Sequence, residues 1–193
     1  MPEDLREYVT RAYENAESLN RLVNNILDVS RLEMGRFELH TDSVDLAKLL
    51  EDILKSVAVQ AYEKRLKLEL INSTGKDKVM VRIDSIRISQ VLRNLLDNAI
   101  KFSKKGKSIT ADIQVSDQFV TVSITDRGVG VPKSQLKQIF DKFIQVKNNS
   151  KSYSGEAGLG LYIAKKIVEL HGGSIEAFCE NGKRTTFRFS IPL

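Results

Sequence analysis

The sequence predicts an α+β fold, a largely antiparallel sheet with helices on one face, preceded by one long N-terminal helix. Three observations lead there. Apolar and small residues fall at heptad spacing from Leu5 to Ser30, with neither Gly nor Pro until Gly35. Short apolar runs separated by turn residues recur further on, two pairs of them spaced as hairpins. Between these lie stretches of helical length whose apolar residues return every three or four positions, so helices and hairpins share one chain.

The seam is Leu5, Val9, Ala12, Ala16, Leu19, Val23, Ile26 and Ser30, and Tyr8, Leu22 and Val29 widen it. One helix cannot bury both rows alone, so a partner helix is expected, in a dimer or a bundle. Gly35 is the expected stop. Arg36–His40 is expected as a short strand and Asp45–Arg65 as one helix with Leu46, Leu49, Leu50, Ile53, Leu54 and Val57 on one side. Leu66–Ile71 and Val79–Ile83 are expected strands around an Asn72–Lys78 turn. Asp84–Ser103 is a strongly apolar helix. Ile109–Val115 and Phe119–Thr125 form a hairpin about Ser116-Asp117-Gln118. Pro132 opens a short helix to Phe140, Asp141–Ala157 is irregular, and Leu159–His171 is a helix. Ser174–Cys179 and Thr185–Ile191 close the chain as a hairpin about Asn181-Gly182. The organisation is thus a helical segment over 1–35 and a domain over 36–193.

Composition bounds the function. With 193 residues, 41% of them hydrophobic, the chain can build a real core, which excludes wholesale disorder and a fibrous protein. Cys179 is the single cysteine, so no internal disulfide forms and a reduced, intracellular setting is expected. Charges interrupt every apolar run long before the roughly 20 residues that a bilayer needs, and the acidic start shows no signal peptide. The net charge of +5 divides into −3 over residues 1–35 and +8 over the remainder. The Lys clusters lack the interleaved aromatics of a nucleic-acid surface, so no nucleic acid is expected.

Asn94, Asn98 and Lys101 stand at i, i+4 and i+7 of the apolar helix and share a face. Two amides and an ammonium in line suit a polyphosphate and its metal, since Asn carbonyl oxygens ligate Mg²⁺ and Lys meets phosphate as a point charge. A solvated polar face would look the same in isolation. Asp126-Arg127-Gly128-Val129-Gly130-Val131 directly follows a predicted strand. Its carboxylate can accept from an exocyclic amine such as that of adenine, and its glycines allow close backbone approach; a plain strand-to-helix turn is the alternative. Phe140 and Phe143 either pin a loop or fill the core. Gly158-Leu159-Gly160 leads into a helix, where free N–H groups and the positive dipole end favour an anion, with Gln145–Ala157 ahead of it as an expected lid. No Gly-Lys-Ser/Thr follows, which argues against the P-loop class.

The order N-L-L-D-N-A-I-K-F, D-R-G-V-G-V, I-F-D-K-F and G-L-G-L-Y-I-A-K-K-I-V-E-L-H-G-G resembles the N, first G, F and second G boxes of sensor histidine kinases, members of the GHKL class of ATP-binding domains. The resemblance covers about residues 36–193, and Leu19–Gly35 resembles the second helix of the dimerisation and phosphotransfer hairpin. It implies a two-layer α/β sandwich with a mixed, mostly antiparallel sheet. It further implies that Asn94 and Asn98 hold Mg²⁺, Lys101 contacts phosphate, Asp126 reads the adenine amine, Gly128 and Gly130 border the base, and Gly158, Leu159 and Gly160 cradle the phosphates. Phe143 joins this binding set. The implied activity is transfer of the ATP γ-phosphoryl group to a His for relay to a response-regulator receiver domain, in a cytoplasmic homodimer whose parent is anchored in a membrane or not. Other readings are a different GHKL protein (an anti-sigma Ser/Thr kinase, a topoisomerase-like ATPase or a chaperone) and a non-catalytic helix-mediated interaction module.

Two departures qualify the resemblance. The acceptor motif, His then an acidic residue and Leu-Arg-x-Pro-Leu, is absent, which suggests a truncated or naturally short form unable to autophosphorylate. His171 is expected to cap or pack, and His40 has no helical acidic partner. In addition, Gly155-Glu156-Ala157-Gly158 stands where many relatives carry Gly-Gly-Thr/Ser-Gly, so weaker nucleotide affinity or altered lid closure is expected.

Overall fold

A computed structural model describes residues 3–145, 157–180 and 182–193. Helix α1 spans Glu3–Glu33 and is followed by Gly35, whose φ of +65° is open to glycine at little cost. Strand β1 (Asp42–Asp45) pairs antiparallel with β3 (Met80–Ile83), Val44 opposite Val81. Helices α2 (Leu46–Ser56), α3 (Ala58–Glu63), α4 (Ser85–Phe102) and α5 (Gly160–Leu170) accompany a five-stranded sheet. Its strands are β2 (Lys67–Asn72), β4 (Ser108–Val115), β5 (Phe119–Asp126), β6 (Ser174–Glu180) and β7 (Arg184–Pro192), in the order β2-β4-β5-β7-β6. Only the β2–β4 pair is parallel, so the sheet is mixed and mostly antiparallel, as expected.

The core lies between the helices and one sheet face. β4 and β5 alternate buried and half-buried residues, which turns Ile109, Ala111, Ile113, Val120, Val122 and Ile124 inward onto Val91, Leu92, Leu95 and Leu96 of α4 and Ile163, Ala164 and Ile167 of α5. Asp84 caps α4: its carboxylate accepts from the Arg87 N–H at 3.0 Å and from the His40 N–H at 3.0 Å. The Asp84 N–H in turn donates to His171 Nε2 at 3.0 Å, while His171 Nδ1 lies 2.8 Å from the Ile167 carbonyl. His171 therefore ties the end of α5 to the start of α4.

Four element expectations change. Residues 36–40 form no strand: Phe37 is buried with the Arg87 guanidinium 4.3 Å above its ring, and the extended segment that β3 selects is Asp42–Asp45. The helix expected over Asp45–Arg65 breaks at Val57, whose N–H is shared between the Ile53 and Leu54 carbonyls at 3.3 Å each. β2 and β3 do not pair with each other but enter different sheets, because β2 is taken by β4. Pro132–Phe140 holds two short 3₁₀ turns, Lys133–Gln135 and Gln138–Phe140, rather than one helix. Of the expected lid, Gln145–Ala157, residues 146–156, Glu156 among them, lie outside the described residues, as does Asn181 of the last turn, while Gln145 and Ala157 line a cleft between α4 and α5.

The seam of α1 faces away from the domain. Leu5, Val9, Leu19, Val23 and Ile26 are each about half exposed, whereas Asp28 is buried and accepts from Gln90 Nε2 at 2.8 Å and from Arg87 Nη1 at 3.3 Å. Glu33 pairs with Lys142, whose ammonium also lies 5.1 Å from the Tyr162 ring. Asp28 and Glu33, with Val29 and Leu32 packed on the core, thus hold the end of the helix to the domain, while Leu5, Val9, Leu19, Val23 and Ile26 are left outward.

Candidate functional site

A cleft of about 210 Å³ opens between α4, α5 and the ends of β5 and β7. Asn94, Asn98, Lys101, Asp126, Gly130, Gly158, Leu159 and Gly160 all line it. Residues from three separated segments, picked out by type and spacing, therefore meet around one space.

Asp126 closes the inner end. It is the last residue of β5, almost wholly buried and opposite Thr185 of β7. Burial pushes its carboxyl up to about 6, while hydrogen bonds from the Gly128 N–H (2.8 Å) and the Thr185 side chain favour the ionised form. Such a carboxyl is poised to ionise fully when a donor reaches it. Apolar side chains of Val131, Ile139 and Phe187 complete this end, and Phe187 is held edge-on to the buried Phe140 at 6.4 Å between centroids. A flat heterocycle with an exocyclic amine suits this combination.

Asn94 and Asn98 build the other end. The Asn94 amide donates through Nδ2 to the Gly160 carbonyl at 2.9 Å, and Asn98 donates through Nδ2 to the Asn94 carbonyl at 2.6 Å. Both NH₂ groups are thereby held by backbone, and both Oδ1 atoms are left as acceptors of the kind a hard cation takes. Among the described residues no group of three or more His, Cys, Asp or Glu could hold a metal. A Mg²⁺ here fits only with a ligand's own oxygens completing its shell. Lys64 Nζ donates to the carbonyls of Ile100 (2.9 Å) and Lys101 (2.6 Å), closing the end of α4 beside the cleft.

The glycines have different physical reasons. Gly158 has φ +67°, and a Cβ there would lie 2.8 Å from the Ile144 carbonyl oxygen. A Cβ at Gly160, the first residue of α5, would come 3.4 Å from the Asn94 side chain, so the helix N-terminus sits directly against the amide. Gly128 does not line the cleft. A Cβ on it would fall 2.2 Å from the Phe102 carbonyl oxygen, and its bridge with Ser103 presses the turn after β5 onto the end of α4. Phe143 also stands off the cleft, two-thirds exposed with φ +61°, its N–H donating to the Gly158 carbonyl at 3.1 Å.

Sequence reasoning misses two contributors. Thr185 is buried and partners Asp126; its signal is a polar residue at the first inward position of the Thr185, Phe187, Phe189, Ile191 alternation. Ser18, Arg21, Leu22 and Asn25 of α1 also line the cleft. Their i, i+3, i+4, i+7 spacing marks one face of that helix, but Leu22 also belongs to the row that widens the adjacent apolar seam, and the stronger seam masks the face.

Residues 83–193 match the family of histidine kinase-, DNA gyrase B- and HSP90-like ATPases. The chain is 32% identical to the circadian input-output histidine kinase CikA of Synechococcus elongatus, over 100% of this chain and 26% of the relative. It is 32% identical to the sensor histidine kinase WalK of Bacillus subtilis, over 91% and 29%. The chain thus spans well under a third of these relatives. Among solved structures, full-length ShkA in complex with AMPPNP superposes with a TM-score of 0.83 at 28% identity, covering all of this chain and 39% of that one. Histidine kinase ThkA in complex with the response regulator protein TrrA gives 0.76 at 25% identity, covering 100% and 52%. With the family's match extending over more than half of the chain and including every cleft residue outside α1, this chain belongs to the histidine kinase-, DNA gyrase B- and HSP90-like ATPases, and its relatives there are sensor histidine kinases.

Proposed function

We propose that this chain is the ATP-binding catalytic module of a sensor histidine kinase, which presents Mg-ATP to an acceptor histidine for relay to a response-regulator aspartate. One observation carries the reading: a single cleft joins a buried carboxyl in an apolar slot to two amides whose oxygens point free beside a helix N-terminus. Asp126 with Thr185 would take the adenine amine, and Gly130 would lie along the base. Asn94 and Asn98 would hold Mg²⁺ against the phosphates, Lys101 would meet a phosphate oxygen, and the N–H groups from Gly158 to Gly160 would cradle the tail. The metal supplies charge neutralisation on the phosphates. The residues of this chain position and enclose, and little covalent chemistry falls to them. ShkA supports the nucleotide and ThkA the regulator partner, each for that protein.

Neither histidine of this chain serves as acceptor in this reading. The His171 ring is bonded at both nitrogens, and His40 lies in the connection after α1. The outward seam of α1 belongs to a homodimer interface, and the domain works on the cytoplasmic side, where ATP and the regulator are found. No described helix is long and apolar enough to cross a membrane.

The test is incubation with γ-labelled Mg-ATP, alone and with a separate hairpin polypeptide carrying an acceptor histidine. Acid-labile label in the hairpin and none in the chain itself is expected. Label on His40 or His171, or none in the hairpin at saturating ATP, counts against the assignment.

A further inference from the structure

We propose that α1 forms a fourth wall of the nucleotide site, with Arg21 as a binding group for the terminal phosphate. The proposal rests on the reading of the cleft as an ATP site and adds to it a residue outside the catalytic domain.

Ser18, Arg21, Asn25 and Asp28 repeat at steps of three and four and so form one polar stripe along α1. The last of them is anchored: Asp28 is buried, with Gln90 Nε2 at 2.8 Å and Arg87 Nη1 at 3.3 Å. From that anchor α1 and α4 run along the same cleft, Ser18, Arg21 and Asn25 lining it together with Asn94, Asn98 and Lys101. The stripe therefore borders the same space as the two amides, as well as that of the buried Asp126. Apolar burial holds the C-terminal turns of α1, where Val29 and Leu32 pack on the core, whereas Leu19, Val23 and Ile26 beside the stripe remain about half exposed.

Arg21 is chemically the unusual member. It is exposed at the mouth of the cleft, and among the described residues no carboxylate pairs with it, whereas Arg87 and Lys142 nearby each have one. A guanidinium is permanently charged and matches two phosphate oxygens at once, which makes a phosphate at the end of a nucleotide tail the ligand it fits. Asn25 adds an amide beside it. The wall predicts discrimination by tail length: a triphosphate reaches Arg21, a diphosphate reaches it less, and the nucleoside does not.

The experiment is calorimetric titration of wild type and Arg21→Gln with Mg-ATP, Mg-ADP and adenosine, with helix content followed by circular dichroism. Arg21→Gln keeps the stem and the helix propensity and removes the charge. The expected result is ATP affinity lowered about tenfold or more, ADP affinity lowered less, and adenosine affinity unchanged. An ATP-to-ADP affinity ratio in Arg21→Gln equal to that of wild type overturns the wall while leaving the ATP site standing. Wild type that binds none of the three overturns both.

Discussion

At Asp126 burial makes the carboxylate a burden on the folded domain at neutral pH. Its carboxyl ionises near pH 6 in the folded chain and near 3.8 otherwise. A raised folded pKa means stability that is complete below the unfolded value and lost as pH rises through about 6. Asp126→Asn keeps an oxygen for the Gly128 N–H and removes the ionisation. We expect the variant to be more stable than wild type by up to about 3 kcal/mol at neutral pH, since each pH unit between the folded and unfolded values is worth about 1.4 kcal/mol. Denaturant unfolding at about pH 7.5 and about pH 4 checks this: the gain should vanish at the lower pH, and a gain equal at both would sink the idea. The same residue shows what a sequence discloses. A carboxylate after an apolar strand is visible, whereas Thr185 is found only by noticing a hydroxyl on an otherwise apolar inward row.

Among the elements, the turn after β5 is pressed onto the end of α4 between two cleft residues, Lys101 and Asp126. Gly128 allows that contact, and Gly128→Ala would drive a methyl to 2.2 Å from the Phe102 carbonyl oxygen, a backbone atom that cannot rotate away. A loss of about 1–3 kcal/mol is expected, of the size of overpacking in a dense core, together with weaker nucleotide binding as the turn lifts Asp126. Thermal melting of Gly128→Ala indistinguishable from wild type would show the junction to be pliable. Periodicity predicts α1, α4, α5 and both hairpins closely, because each buries one face of a regular repeat. It misplaces the first strand because Phe37 and Leu39 alternate as a strand would, yet Phe37 packs under Arg87 and pairing partners decide which segment extends. It joins α2 and α3 because the break at Val57 is a matter of shared backbone hydrogen bonds and leaves no mark in residue type.

For the whole molecule, the helix and the domain present opposite needs on one surface. α1 turns its polar stripe to the cleft and its apolar seam outward, so the seam is the surface that a second copy would cover. Light scattering is expected to show dimers that grow with concentration, and Val23→Glu with Ile26→Glu to shift them to monomer; a monomeric wild type at high concentration would remove the seam from the interface. The +5 net charge takes its meaning from the same division, an acidic helix and a basic domain whose Lys101 lines the cleft. The most direct measurement of the central claim is titration of wild type and Asp126→Asn with Mg-ATP. Saturable one-to-one binding by wild type and loss of at least about tenfold in affinity in the variant are the predicted result, the cost of one charged hydrogen bond to the base. Equal affinity in the two proteins, or no binding by wild type, would contradict it.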